Sequence, residues 1–206
     1  MKLPLRAADR SPTTQAQTDE ELVAIAHADP LAFVPLYQRY LDRIYRYCHI
    51  KLGDREVAED ATSEVFLKAF ANLHHFRGRV FAAWLYTIAR NVVIDHLRQR
   101  RPSEPLEAAD RYQAAREAGG DAERQRALVS AALAELPDEQ RAILELQFAG
   151  WSGQEIAAAL GKSPAAVRKA RQRAVERLRG LLGPDQSQEV SDAYQRHEPG
   201  TASRTA

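Results

Sequence analysis

Hydrophobic residues recur every three or four positions along most of the chain, which is the spacing of one face of an α-helix. The longest stripe in the first half consists of Phe33, Leu36, Tyr37, Tyr40, Leu41, Ile44 and Cys48. It predicts a long helix that begins between Pro30 and Pro35, ends near Gly53 and buries this face. A shorter helix should precede it, because Thr18 and Glu21 have the spacing of a capping box.

The same periodicity predicts two more helices in the first half, from Asp54 to Asn72 and from Phe81 to about Arg101. The expected core positions are Val57, Ala58, Ala61, Val65, Phe66 and Phe70 in the third helix, and Phe81, Leu85, Ile88 and Val92 in the fourth. Between these helices the periodicity is lost around Gly78, so Leu73–Arg79 should form a loop.

The composition changes between residues 102 and 120 to Pro, Glu, Ala, Asp and a Gly-Gly pair, which indicates a flexible linker. Beyond it, helices are expected over about 121–135 and 138–148, with a break at Pro137. Residues 1–17 and 183–206 lack periodicity and should be disordered tails. No strand pattern occurs, so we predict an all-α protein with two small helical domains, at 18–101 and 121–182, joined by the linker.

The stretch from Trp151 to Arg179 has the features of a helix-turn-helix. Ser152 and Glu155 form a second capping-box spacing, and Gly161 suits the left-handed end of a helix. Ser163 can then cap the next helix, with a proline at its first position. The buried stripe of that helix should be Val167, Ala170, Ala174, Leu178 and Leu181.

The other faces of this last helix are strongly basic: Arg168, Lys169, Arg171, Gln172, Arg173, Arg177 and Arg179 accompany one acid, Glu176. A basic second helix is typical of a helix-turn-helix that enters the DNA major groove, and the small Ala165 and Ala166 permit close approach. An ordinary helical hairpin with a solvated face is the alternative. The helix cap, Gly161, the Ser-Pro pair and the predominance of positive charge occur together, and this combination favours the DNA-binding interpretation.

Charge is segregated along the chain. The net charge of the 206 residues is only +1 and the pI is about 7.9, and these low overall values argue against a histone-like DNA-binding protein. Residues 54–64 are mainly acidic and residues 77–101 mainly basic, so different faces should have different partners. The acidic helix face with Glu56, Asp60, Glu64 and Leu67 is either solvated surface or a protein-docking site. The basic helix with Trp84 could hold an unpaired nucleic-acid strand; taken alone, a core tryptophan is the simpler interpretation.

Little in the sequence points to catalysis or to a bound metal or cofactor. Cys48 lies on a buried stripe, so we interpret it as a core residue. His74 and His75 are adjacent and should point apart, with no other ligand at metal-binding spacing. An all-helical enzyme using His74, His75, Asp95 and His96 would have a poor constellation, because adjacent helix residues face different directions. No hydrophobic run is long enough for a membrane span or a signal peptide, so a cytoplasmic protein without membrane insertion is expected.

Three segments together resemble the extracytoplasmic-function (ECF) class of bacterial sigma factors. AEDATSEVFLKAF, residues 58–70, looks like the family's polymerase-docking helix, and FAAWLYTIARNVVIDHLRQRR, residues 81–101, is similar to its downstream-promoter segment. LPDEQRAILELQFAGWSGQEIAAALGKSPAAVRKARQRAVERLR, residues 136–179, looks like its fourth region. The resemblance covers about residues 19–182, in the family's order.

The resemblance implies promoter-specific transcription initiation with RNA polymerase core enzyme, which itself does the chemistry. Core docking would use Glu56, Asp60, Glu64 and Leu67. The minus-35 element would be read as duplex by Ser163, Ala165, Ala166, Arg168, Lys169, Arg171, Gln172 and Arg173. The melted minus-10 strand would lie along Arg77, Trp84, Thr87, Arg90, Asn91, Arg98 and Arg101, with the 73–80 loop around an extruded base. An anti-sigma factor is a further partner that the family implies.

A helix-turn-helix regulator that acts without core polymerase is the alternative function. It would bind palindromic half-sites about one helical turn apart as a dimer. It would leave the acidic helix and the basic 77–101 segment unexplained, which is why we favour the sigma factor.

Overall fold

The protein is helical throughout the residues that the computed structural model describes, which are 17–78, 80–99 and 120–182. No strand occurs among them, so the all-α prediction is confirmed. The elements are α1 (Asp19–Ala26), a 3₁₀ turn (Pro30–Ala32), α2 (Phe33–Leu52), α3 (Arg55–Asn72), a second 3₁₀ turn (Leu73–His75), α4 (Phe81–Gln99), α5 (Asp121–Ala134), α6 (Asp138–Phe148), α7 (Gly153–Leu160) and α8 (Pro164–Leu182). The predicted tails and linker lie outside the described residues, apart from Gln17 and Gly120. None of the described helices is long and apolar enough to cross a membrane.

The helix ends in the first half follow the capping signals of the sequence. Thr18 Oγ1 accepts the Glu21 N–H at 3.3 Å, and Glu21 Oε2 accepts the Thr18 N–H at 2.9 Å, which completes the predicted capping box of α1. Gly53 ends α2 with φ of 72°, a left-handed conformation that glycine adopts without strain. Asp54 then caps α3 by accepting the Val57 N–H at 3.0 Å.

Helices α1 to α4 enclose a core in which most of the predicted stripe is buried, but two of its aromatic residues are not. Tyr37 is 39% exposed and Phe70 48% exposed, so their prediction as core residues was wrong. The Tyr37 ring packs edge-on against Phe66 at 4.7 Å, and the Phe70 ring against Phe33 at 5.4 Å. Both rings lie at the rim of the α2–α3 contact, where one face of each ring stays in solvent.

A second core joins α5, α6 and α8. It is formed by Leu128, Ala132, Leu133, Leu136, Leu144, Ala174, Leu178 and Leu182. The sequence predicted Leu181 at the end of the α8 stripe, but Leu181 is 38% exposed and Leu182 is buried instead. Leu182 follows Leu178 at i+4, one full turn along the same face, so the stripe ends one residue later than predicted.

The two halves of the chain share the first core, a contact that the expected loose tether did not predict. α7 packs on α4 and α6 packs on α2. Trp151, two residues before the start of α7, is fully buried, and its ring centroid lies 6.2 Å from that of Tyr40 and 5.9 Å from that of Tyr86. Ile143, Leu146 and Ile156 join the same cluster of buried residues. Helical periodicity predicts which face of a helix is apolar, but not which other helix will cover it.

Cys48 is a core residue, as predicted. Its burial should make its thiol slow to react in the native protein. Its side chain has no exposed surface, and burial raises the pKa of its thiol from 9.0 to about 11. At pH 8 this lowers the thiolate fraction roughly a hundredfold, and the thiolate is the form that reacts. We expect native protein to react with a chromogenic disulfide reagent far more slowly than protein unfolded in guanidinium chloride. Equal rates in the two states would contradict this burial.

Candidate nucleic-acid interface

The helix-turn-helix is assembled by the caps that the sequence predicted. Ser152 Oγ accepts the Glu155 N–H at 3.3 Å, and Glu155 Oε2 accepts the Ser152 N–H at 2.8 Å. Gly161 ends α7 with φ of 65°. Ser163 Oγ accepts the Ala166 N–H at 3.2 Å, so it caps α8. These contacts fix the start of α8 relative to α7, which is the geometry that a recognition helix needs.

Helix α8 presents most of its predicted DNA-binding residues to solvent. Val167, Ala174 and Leu178 are buried and attach the helix to its neighbours. The exposed members of the predicted set are Ser163, Ala165, Ala166, Arg168, Lys169, Gln172 and Arg173. Arg171 is half-buried, and Gln172 Nε2 donates to Glu176 Oε1 at 3.1 Å. The face therefore offers cations and small side chains near the start of the helix, and Gln172 would have to leave Glu176 to contact DNA.

The loop between α3 and α4 is folded tightly over an aromatic cluster. Phe76 is buried, and its ring centroid lies 5.2 Å from Trp84 and 5.9 Å from Phe81. A Cβ atom added at Gly78 would lie 2.8 Å from Cε2 of Phe76, so a larger residue would displace that ring. Arg77 donates to the carbonyl oxygens of His74 at 2.7 Å and Phe76 at 3.0 Å. Arg77 thus braces the loop in addition to presenting its charge.

A cavity of about 350 Å³ opens between this loop and the start of α4. Phe76, Arg77, Trp84 and Thr87 are among the residues that line it, together with Ala158 and Ala159 from α7. Trp84 is half-buried, so it both packs against the aromatic cluster and keeps a surface toward the cavity. The two interpretations that the sequence left open for Trp84, core residue and ligand contact, are therefore compatible.

The predicted strand-binding residues of α4 continue from this cavity along an exposed face. Thr87, Arg90, Asn91 and Arg98 are exposed, and the Thr87 hydroxyl donates to the Ala83 carbonyl at 3.0 Å. Their spacing of three, four and seven places them on one side of the helix. Arg101 lies outside the described residues. Phe76 was missed by the sequence analysis because the loop has no periodicity that would predict a buried ring.

On the acidic face of α3, some side chains are exposed to solvent and one, that of Glu64, is paired with other residues of the protein. Glu56 and Asp60 are exposed, and Leu67 is 70% exposed. Glu64 Oε1 lies 2.7 Å from Lys68 Nζ, and Glu64 Oε2 lies 3.0 Å from His96 Nε2 on α4. The hydrogen bond from Lys68 is the main cause that holds the pKa of Glu64 below its usual range. Glu64 is therefore part of the α3–α4 contact, and a partner protein would compete with that contact.

Besides Leu67, several apolar side chains in the first half of the chain are exposed, which the sequence analysis did not predict. Leu31 is 76% exposed and Val34 48% exposed, in addition to Tyr37 and Phe70. The helical stripes that predicted Tyr37 and Phe70 as core residues gave no indication of this exposure.

The histidines make separate contacts in the part of the chain that the structure describes. We expected the rings of His74 and His75 to point apart, but this was wrong: their centroids lie 3.8 Å apart in the second 3₁₀ turn. His96 pairs with Glu64. Within the described ranges, no group of three or more His, Cys, Asp or Glu could hold a metal ion.

Comparison with known proteins assigns both halves of the chain to one family. Residues 36–102 match the model of Sigma-70 region 2, and residues 126–178 match that of Sigma-70 region 4. The ECF RNA polymerase sigma factor SigL of Mycobacterium tuberculosis is 31% identical over 163 residues, which are 76% of this chain and 92% of SigL. This chain belongs to the ECF sigma factor family. The sigma factor family is not a class of enzymes.

Two further relatives of this sigma factor bear on its length and fold. The ECF RNA polymerase sigma factor BldN of Streptomyces coelicolor is 36% identical over 174 residues, which are 80% of this chain and 66% of BldN, just under two thirds of its length. The solved structure of CnrH in complex with the cytosolic domain of CnrY matches with a TM-score of 0.55 and 30% identity, over 78% of this chain and 94% of CnrH. The predicted resemblance is confirmed at the level of the family.

Proposed function

We propose that this sigma factor binds RNA polymerase core enzyme and directs it to promoters by contacting a minus-35 element as duplex and a minus-10 element as a melted strand. The observation that carries the proposal is the presence, in one chain, of two different exposed surfaces suited to nucleic acid. One is the basic face of α8, and the other is the aromatic-lined cavity that continues along α4. A duplex-only regulator would have no use for the second.

Helix α8 is suited to the major groove of the minus-35 duplex. Arg168 and Lys169 are exposed near its start, where the small Ala165 and Ala166 leave room for base edges. An arginine that bonds guanine O6 and N7 contributes about 1–3 kcal/mol of discrimination. The remaining basic side chains would contact phosphates, which position the helix without selecting a sequence.

The cavity beside Trp84 is suited to a base that has left the stack. Extruding a base costs a few kcal/mol, and stacking on an aromatic side chain returns about 1–3 kcal/mol per base. Trp84 has the surface for stacking, and Thr87 and Asn91 have hydrogen-bonding groups along the same face. Arg90 and Arg98 would hold the phosphates of the strand as it continues along α4.

Core polymerase would dock on α3 through the exposed Leu67 and the acidic side chains of Glu56, Asp60 and Glu64. A basic, partly apolar helical surface is the complementary partner for this combination. An anti-sigma factor is a further proposed partner, since CnrH was solved bound to another protein, the cytosolic domain of CnrY. The proposed role would place the protein in the cytoplasm, where the polymerase acts.

Run-off transcription tests the proposal. Purified protein added to core polymerase should produce transcripts from a promoter library, and sequencing their starts should give two conserved blocks upstream. Core polymerase alone is the control. No dependent transcript, together with tight symmetric binding to duplex DNA without polymerase, would instead support a dimeric helix-turn-helix regulator.

A substitution at Leu67 tests the proposed docking on core polymerase. Leu67→Asp should weaken binding to core polymerase, because a charge would replace an apolar side chain that the partner covers. Leu31→Asp is the matched control, since Leu31 is exposed to a similar degree but lies outside α3. Unchanged core affinity of Leu67→Asp in a pull-down titration would remove α3 from the proposed interface.

A further inference from the structure

Helix α8 carries one acid, Glu176, on a surface that is otherwise basic. Glu176 is exposed, whereas Ala174 and Leu178, two positions before and after it, are buried. Two residues correspond to about 200° around an α-helix, so Glu176 points away from the core. Ala165, Lys169 and Glu176 follow one another at intervals of four and seven residues, so they lie along one exposed face. The acid thus belongs to the face that α8 is proposed to turn toward the minus-35 duplex.

Gln172 lies on the same face and contacts the carboxylate of Glu176. Gln172 Nε2 donates a hydrogen bond to Glu176 Oε1 at 3.1 Å. An ionised carboxylate only accepts hydrogen bonds, so the amide has to turn its N–H groups toward Glu176. The two oxygens of a carboxylate have about four acceptor sites, and this bond uses one of them. Gln172 therefore orients the carboxylate without using its whole capacity to accept.

An acid on this face opposes binding to most DNA sequences. The phosphates give DNA a dense negative charge, so a carboxylate in the groove is repelled at every base pair. A hydrogen bond from a base can offset this repulsion, and the donors in the major groove are the amino groups of adenine and cytosine. Repulsion that is relieved by one partner and not by others is a source of specificity.

The neighbours of each amino group favour cytosine over adenine as the partner of a carboxylate. In an A·T pair, the adenine amino group lies between two acceptors, adenine N7 and thymine O4. In a G·C pair, the cytosine amino group has an acceptor on one side only, guanine O6. A carboxylate offers only acceptors, so it meets less repulsion at cytosine. Glu accepting from cytosine N4 is accordingly one of the side-chain pairings of direct readout.

We propose that Glu176 is a specificity-determining residue of the minus-35 interface, where its carboxylate accepts a hydrogen bond from the amino group of a cytosine. Gln172 is then a positioning residue, which keeps its bond to Glu176 and orients the carboxylate. The inference rests on the proposed function of α8 in reading the minus-35 duplex. Glu176 follows Arg168 by two turns of the helix, about 12 Å along its axis, so the two side chains face different base pairs.

Run-off transcription by core polymerase with this protein, from promoters randomised across the minus-35 block, tests the inference. The wild type should prefer cytosine at one position, and Glu176→Ala should reduce this preference about five- to 150-fold. Glu176→Gln should prefer adenine at that position, because an amide pairs with adenine N6 and N7. Gln172→Ala should weaken the preference for cytosine without changing the preferred base.

Two control variants separate the reading of a base from the change in net charge and from the neighbouring contact. Asp42→Asn also removes one negative charge, at a side chain of α2 that is 84% exposed, and should leave every base preference unchanged. Arg168→Ala should relax the preference at a different base pair. Circular dichroism should show the helix content of the wild type in both Glu176 variants, since Glu176 is exposed.

The inference is overturned if Glu176→Ala and Glu176→Gln raise transcription equally from all minus-35 sequences, because Glu176 would then only repel phosphates. It is also overturned if both variants keep the base preference of the wild type. In either case a conserved minus-35 block in the wild-type transcripts would leave the proposed function standing. If the wild type itself selects no minus-35 block, the proposed function fails and the inference fails with it.

Discussion

Replacing Ile44 by alanine should lower the free energy of unfolding by about 2–5 kcal/mol, the range measured for large-to-small substitutions of buried aliphatic residues. Ile44 lies in the middle of α2 and has no exposed surface. Helix α3 packs on α2, and its fully buried residues include Ala58 and Ala61, whose methyl groups are too short to fill a vacated space. Because a domain is stable by only about 5–15 kcal/mol, this loss is a large fraction of the total.

Denaturation in guanidinium chloride, followed by circular dichroism at 222 nm, measures the effect. The midpoint should fall while the slope with denaturant stays the same, since a change of slope would indicate an altered unfolded state or loss of two-state behaviour. Leu31→Ala is the control: Leu31 is 76% exposed, so its substitution should change the unfolding free energy by no more than about 0.5 kcal/mol. Equal effects of the two substitutions would show that α2 does not bury this face.

The helices and their caps could be predicted from the sequence because these features are local. The capping boxes at Thr18 and Ser152 and the helix ends at Gly53 and Gly161 depend on residues that are close together in the sequence. The stripes were less reliable at their edges. Tyr37, Phe70 and Leu181 continue an apolar pattern, but each lies where the pattern leaves the core, and periodicity does not mark that boundary.

The arrangement of the candidate site could be predicted only in part. Exposed cations on α8 and α4 follow from the face that each helix buries, and most of the predicted residues are exposed. The burial of Phe76, the bracing of the loop by Arg77 and the contact of α7 with α4 depend on tertiary packing between segments far apart in the chain. For the same reason the predicted role of Glu64 did not anticipate its pairing with His96.

The two nucleic-acid surfaces are proposed to bind different promoter elements. The substitutions Arg168→Ala and Arg98→Ala should therefore affect different steps of initiation. Arg168 lies on the exposed face of α8 near its start. If it bonds guanine, its loss should reduce discrimination at that base pair by about 1–3 kcal/mol, or roughly five- to 150-fold in relative affinity. Transcripts should then start from a wider set of minus-35 sequences, with little change in the minus-10 block.

Arg98 lies on the exposed face of α4, where the proposed contact is a phosphate of the melted strand. Its loss should leave duplex minus-35 binding unchanged and weaken open-complex formation, measured by permanganate reactivity of unpaired thymines. Each phosphate contact to a single strand contributes about 0.7 to the magnitude of the slope of the logarithm of the binding constant against the logarithm of the salt concentration. For binding to the melted strand, the magnitude of this slope should therefore fall by about 0.7 in Arg98→Ala. The same reduction of duplex binding by both variants would contradict the assignment of α4 to the melted strand. A uniform weakening by Arg168→Ala across all minus-35 sequences would instead make Arg168 a phosphate contact, because phosphates are the same at every base pair.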